Sequence, residues 1–80
     1  MFEVALITPT SNRSMLVAWL ECETPRGNIV IQKGHAPLVM ALKPYCEIRF
    51  ENEQGVIEGI ELSGGIVEVL RNSVTIIIDQ

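Results

Sequence analysis

Aromatics, cations, histidine and long apolar runs are all scarce in this 80-residue chain, and each scarcity bears on function. Phe2, Trp19, Tyr45 and Phe50 are the only aromatic residues, so a core has to be assembled from aliphatic side chains. Six Lys and Arg stand against ten Asp and Glu, for a net charge of −4. The cations are scattered, whereas a phosphate-binding surface needs them clustered, so nucleic acid is not expected as a partner. No apolar run approaches the roughly 18 residues a membrane-spanning helix needs. Met1-Phe2-Glu3-Val4 carries no positive side chain and enters a strand-like pattern at once, so no signal or transit peptide is expected. The chain reads as cytoplasmic, or held at a membrane only through partners. Cys22 and Cys46 form no CxxC pair, and two small buried thiols in a reducing compartment are expected rather than a disulfide.

What is present is aliphatic. Apolar residues make up 48% of the sequence, enough for a core and too many for a disordered chain. A chain of this length forms one domain, residues 1–80, burying about 60–70% of the surface it exposes when unfolded.

Periodicity indicates sheet almost throughout. In Cys46-Glu47-Ile48-Arg49-Phe50-Glu51 apolar and charged side chains alternate strictly, which puts Cys46, Ile48 and Phe50 on one face. The same beat runs through Phe2 to Leu6 and Glu58 to Leu62. Val74-Thr75-Ile76-Ile77-Ile78-Asp79 is β-branched, and such side chains suit a pleated surface. Turn chemistry separates these segments at short intervals: Thr8-Pro9 to Arg13, Thr24-Pro25-Arg26-Gly27-Asn28, Asn52-Glu53-Gln54-Gly55 and Arg71-Asn72-Ser73. Strands and turns at this spacing predict an all-β protein, a two-sheet β-sandwich of about eight to ten short strands. Leu38 to Lys43 is the one segment with a fair helical alternative, and Pro37 and Pro44 confine it. Gly64-Gly65 marks a sharp turn or bulge where the chain passes between sheets.

Few residues invite a chemical reading. His35 is the sole histidine; neither cysteine belongs to a ligand-spaced pair, and no nucleophile, base and orienting group are marked, so a locally bonded turn residue is expected. Gly64-Gly65 lacks the following helix N-terminus and Lys of a phosphate cradle. Acidic pairs such as Glu21 with Glu23 and Glu51 with Glu53 fit solvated strand faces. Met15-Leu16-Val17-Ala18-Trp19-Leu20 is apolar on both alternating faces, which implies either a central strand or an exposed face kept for a partner. No metal, cofactor or catalytic residue is expected.

Gly34-His35-Ala36-Pro37-Leu38, Lys43-Pro44, Leu62-Ser63-Gly64-Gly65-Ile66-Val67-Glu68-Val69 and Val74-Thr75 together resemble the amino-terminal domain of the epsilon subunit of F-type ATP synthases, called delta in mitochondria. The likeness runs over nearly the whole chain, with an apparent deletion near Thr10 to Arg13 and an insertion near Glu51 to Gln54. It implies a β-sandwich beside the gamma subunit at the foot of the central stalk, touching the ring of c subunits and catalysing nothing. It also implies a position peripheral to the energy-transducing membrane through the ATP synthase complex. In the family a helical hairpin follows this domain; the sequence ends at Asp79-Gln80, so a role without that arm is expected.

Position by position, the resemblance implies gamma-subunit contacts at Thr8, His35, Ala36, Pro37, Leu38 and Met40. It implies c-ring contacts at Gly27, Asn28, Ile29 and Ile31. Asn28 stands where many members carry Glu, Val30 replaces a glycine and Lys33 a proline, so the contact changes from charge steering to hydrogen bonding. A freestanding β-sandwich adaptor is the alternative reading, because architecture alone does not fix function. A small hydrolase or metal protein using His35 and a cysteine ranks last.

Overall fold

Side chains that alternate between oil and water can satisfy both only on a pleated strand, and the chain obeys this nearly everywhere. The computed structural model describes residues 1–78. Among them run β1 (Phe2–Ile7), β2 (Asn12–Val17), β3 (Trp19–Thr24), β4 (Gly27–Gln32), β5 (Leu38–Ala41), β6 (Cys46–Glu51), β7 (Ile57–Leu62), β8 (Gly65–Val69) and β9 (Ser73–Ile78). They form a five-stranded sheet of order β2-β1-β9-β8-β5 and a four-stranded sheet of order β4-β3-β6-β7. The two-sheet sandwich expected from the sequence is therefore the observed architecture. Asp79, where the sequence places the end of the last strand, lies outside the described residues. No helix among the described residues is long and apolar enough to cross a membrane.

Between the sheets lies an aliphatic core. Phe2, Val4 and Leu6 of β1, Val74, Ile76 and Ile78 of β9, and Val67 and Val69 of β8 meet Leu20 and Cys22 of β3, Ile31 of β4 and Cys46, Ile48 and Phe50 of β6. Burying one such side chain contributes about 1.5–3 kcal/mol, and these contacts supply most of the driving force. All pairings are antiparallel except β1 with β9, which run parallel with Glu3 opposite Ser73 and Ile7 opposite Ile77.

The chain changes sheet at positions the sequence only partly marks. Met15 to Leu20 is two strands: β2 ends at Val17 in one sheet and β3 starts at Trp19 in the other. Val17 and Leu20 both point inward, three residues apart, so the alternation slips at Ala18, whose N–H donates to the Glu51 carbonyl at 2.9 Å. That slip explains why both faces of the segment read as apolar. The last of the four passages, Ser63-Gly64 between β7 and β8, falls where the glycine pair places it. Of Leu38 to Lys43, Leu38–Ala41 forms strand β5, which pairs with β8: Leu38 and Met40 pack against the core while Val39 and Ala41 point outward. Alternation between two prolines outweighs the helical option.

Candidate functional site

The loop from β4 to β5 is shaped by its own backbone. Gly34 adopts a φ of 83°, a left-handed conformation that glycine takes without steric cost. Its N–H donates to the Arg71 carbonyl at 3.0 Å, and the His35 N–H donates to the Gln32 carbonyl at 3.1 Å. The imidazole Nδ1 lies 2.7 Å from the Ala36 carbonyl oxygen, which can only accept, so the proton sits on Nδ1. His35 is thus the locally bonded turn residue expected. Ala36 and Pro37 are exposed, while Leu38 and Met40 are half-buried against the core.

Thr8 lies elsewhere. Because β1 and β9 run parallel, Thr8 follows Ile7 at the Ile77 end of the sandwich, whereas Gly34 is bonded to Arg71 at the end where β9 begins. Its hydroxyl is used within its own turn, accepting the Ser11 N–H at 2.9 Å and that of Thr10 at 3.3 Å. The structure therefore separates Thr8 from His35, across a molecule 28 Å by 26 Å by 19 Å. It brings Thr8 instead to the end that carries the β3–β4 turn.

That turn presents Gly27 and Asn28. Gly27 has a φ of 121°, and the buried Thr24 hydroxyl donates to its carbonyl at 2.8 Å while accepting the Arg26 N–H at 3.2 Å. Of the four residues that the resemblance assigns to the ring, only Gly27 and Asn28 are exposed. Ile29 packs against the core and Ile31 lies within it, so they support the turn from beneath and Ile31 offers a partner no side-chain surface. Lys43 and Glu23 line a recess with Thr24, Gly27 and Asn28. Close by, Tyr45 has a φ of 53°, the one non-glycine residue in the left-handed region among those described, where the steric cost is about 1–2 kcal/mol.

The two outer faces differ. Glu21 and Glu23 of β3, Glu47 and Glu51 of β6 and Glu61 of β7 alternate with inward residues and turn the four-stranded sheet's outer face acidic. Glu47 and Glu61 stand directly opposite each other. Arg49 reaches Glu21 only at 4.0 Å and part-exposed, so it contributes little. On the five-stranded sheet the residue pairs Ile7–Ile77, Ile77–Ile66 and Ile66–Ala41 form a continuous outward row. Ile77 is 51% exposed and Val39, on the adjoining edge strand, 67%. A shallow groove of about 340 Å³, lined by Gly65, Ile66, Ile77 and Ile78, opens at the middle of this row. The apolar surplus at Ile77, in the unbroken run Ile76-Ile77-Ile78, is legible in the sequence as a surface kept from water, whereas Ile66 is not.

The thiols are unsuited to chemistry. Both are free and buried. Burial, with smaller contributions from Cys46 and Glu21, pushes the Cys22 thiol up from 9.0 to about 12. Burial, then Glu23, raises that of Cys46. A nucleophilic cysteine needs the opposite shift.

The fold is a small two-sheet sandwich with turns at both ends, an acidic outer face on one sheet and, on the other, an apolar row toward one end beside the outward Glu3, Glu68 and Thr75. The chain matches the family described as ATP synthase, Delta/Epsilon chain, beta-sandwich domain, over residues 1–80, and it belongs to that family. Its fold is similar to that of a chain in the Euglena gracilis mitochondrial ATP synthase, solved as an OSCP/F1/c-ring structure in rotational state 1. That match has a TM-score of 0.87 and 24% identity, over 96% of this chain and 49% of that one. A chain in the central stalk/c-ring structure of the Tetrahymena thermophila mitochondrial ATP synthase matches with a TM-score of 0.81 and 21% identity, over 98% and 63%. This sequence thus spans about half to two thirds of the length of those chains.

Proposed function

We propose that this chain is a non-catalytic subunit of the rotor's central stalk in an F-type ATP synthase, linking a gamma-type shaft to the c-ring. The observation that carries the reading is the apolar row Ile7, Ile77, Ile66 and Ala41 on a sandwich of the delta/epsilon family. Water-facing sheets do not need such a row, and a partner that covers it gains apolar burial at roughly 25 cal/mol per Å², less the ordering cost of association.

The gamma contact is assigned to His35, Ala36, Pro37 and the edge strand from Leu38 to Met40, with Val39, Ile66 and Ile77 adding the apolar area. The ring contact is assigned to Gly27 and Asn28, in the turn at the end away from His35, and the apolar row Ile7, Ile77, Ile66 and Ala41 lies on the outer sheet face toward that same end. A turn for one partner and an outer sheet face for the other suit a coupling element, and the cross-strand hydrogen bonds of a double sheet resist shear between them. The side chains named recognise and transmit; bond making belongs to other subunits. The coupling ion, proton or sodium, passes through the ring. The chain is then peripheral to the energy-transducing membrane, held by the assembly.

Mixing the purified chain with the matching gamma subunit tests the reading by size-exclusion chromatography. Co-elution at micromolar concentration is expected. Separate peaks at every ratio tried would leave the freestanding adaptor as the better account.

A further inference from the structure

Among the described residues the two sheets leave four strand edges open, and three of them carry the protection that edge strands usually have. β2 bears Arg13, β7 bears Glu58 and Glu61, and β5 is only four residues long and lies between Pro37 and Pro44. β4 has none of these devices. Its six residues, Gly27-Asn28-Ile29-Val30-Ile31-Gln32, include no charge and no proline, and they border the four-stranded sheet with β3 on one side only. Asn28, Val30 and Gln32 point outward and are exposed, Val30 to 49%. The Gln32 carbonyl already accepts the His35 N–H, so further pairing draws on the strand's other free backbone groups.

The strand also matches itself. An antiparallel copy related by a two-fold axis through Val30 sets Val30 against Val30, Asn28 against Gln32 and Ile29 against Ile31. The first is an apolar pair, and the second lets one side-chain amide donate to the other on both sides of the axis. The third covers the half-buried Ile29 and continues the core from one copy to the next. The same operation about the centre of β7 would oppose Glu58 to Glu61. Glu21 and Glu23 lie one strand inward, opposite Val30 and Asn28. Acids of the two copies are therefore at least three strand spacings apart, about 14 Å, beyond a screening length of about 8 Å. Lys33 falls opposite Gly27 of the second copy, beside that copy's Arg26 and with its Glu23 one strand in, and salt screens these exposed charges.

We propose that two copies of this chain pair through β4, antiparallel and in register about Val30, joining their four-stranded sheets into one of eight strands. Six residues a side bury less than the roughly 1,000 Å² of a stable interface, so the pairing is weak and reversible. It covers Asn28 and so belongs to the free chain, not to a chain seated on the ring. That consequence rests on the ring assignment, whereas the pairing stands on the strand alone.

Sedimentation equilibrium of the full chain, from about 10 µM to 1 mM, reads the association directly, and a monomer–dimer equilibrium is expected within that range. Val30→Lys sets two ammonium groups against each other on the axis. It is expected to weaken the dimer by about fivefold or more, and at an exposed position to leave the melting temperature within a few degrees. Ile77→Asp, on the other sheet, is expected to leave the dimer within about twofold. Asn28→Lys combined with Gln32→Glu opposes unlike charges across the antiparallel register, so that dimer is expected to tighten at low salt and loosen as salt rises. A monomer at every concentration, a dimer dissolved by Ile77→Asp but not by Val30→Lys, or a double variant without that salt response would overturn the pairing. No readout involves gamma or the ring, so the stalk reading stands or falls separately.

Discussion

The Gly34 N–H donates to the Arg71 carbonyl, a 3.0 Å bond that ties the loop between β4 and β5 to the turn between β8 and β9. It holds the segment bearing His35 against the five-stranded sheet and depends on the φ of 83° that glycine supplies. Gly34→Ala meets open space, so its cost is conformational rather than steric crowding. A loss of about 1 kcal/mol is expected in urea unfolding, with a slope unchanged from the parent. A neutral or stabilising effect would mean that this loop is not held as described.

Ile77 and Met40 separate surface from core. Ile77 points outward from β9, whereas Met40, assigned by resemblance to the gamma contact, packs against the core from β5. Ile77→Asp is expected to leave the thermal midpoint within a few degrees, an effect of about 0.5 kcal/mol on a surface position. Met40→Asp places a carboxylate against apolar side chains and is expected to cost about 2 kcal/mol or more. Equal effects would contradict the assignment of the two faces.

Gly65 is held close to β9. A Cβ there would meet the Ile77 carbonyl oxygen and lie 3.3 Å from the carbonyl carbon, both backbone atoms that cannot swing aside. Gly65→Ala is expected to destabilise by about 1–3 kcal/mol, as overpacking does. Gly64→Ala meets nothing within 4 Å and is expected to cost less. Chemical denaturation of the pair checks the order.

This asymmetry shows where the sequence was legible. Gly64-Gly65 announced a crossing between sheets, but nothing local says which glycine touches another strand, because the partner is Ile77, distant in sequence. Strand identity came from alternation at Cys46 to Glu51 and Phe2 to Leu6, which is local physics. Grouping the ends is not local: the parallel pairing of β1 with β9 decides that Thr8 sits away from His35. Position matching likewise assigned Ile31 to a surface, whereas its register opposite Leu20 turns it inward. The phase slip at Ala18 hid a change of sheet inside one apolar run.

Cys22 makes stability depend on alkaline pH. Its folded pKa, about 12, lies above the ordinary 9.0, so the protonated thiol is bound more tightly in the native state. The stability this provides is complete below pH 9.0 and is lost as pH rises toward about 12, where the unfolded chain ionises first. The slope approaches about 1.4 kcal/mol per pH unit for one proton. Cys22→Val is expected to lower stability at neutral pH yet flatten the fall above pH 9.0, as measured by urea unfolding across that range. Parallel pH curves for the two proteins would contradict the buried thiol's role.

Titration calorimetry of the chain into the matching gamma subunit, run with the unaltered protein and with Ile77→Asp, tests the central claim most directly. One-to-one saturable binding is expected for the unaltered chain, weakened by about tenfold or more when Asp interrupts the apolar row. Absence of binding by the unaltered chain, or equal affinity for both, would contradict an apolar sheet face made to be covered by the shaft.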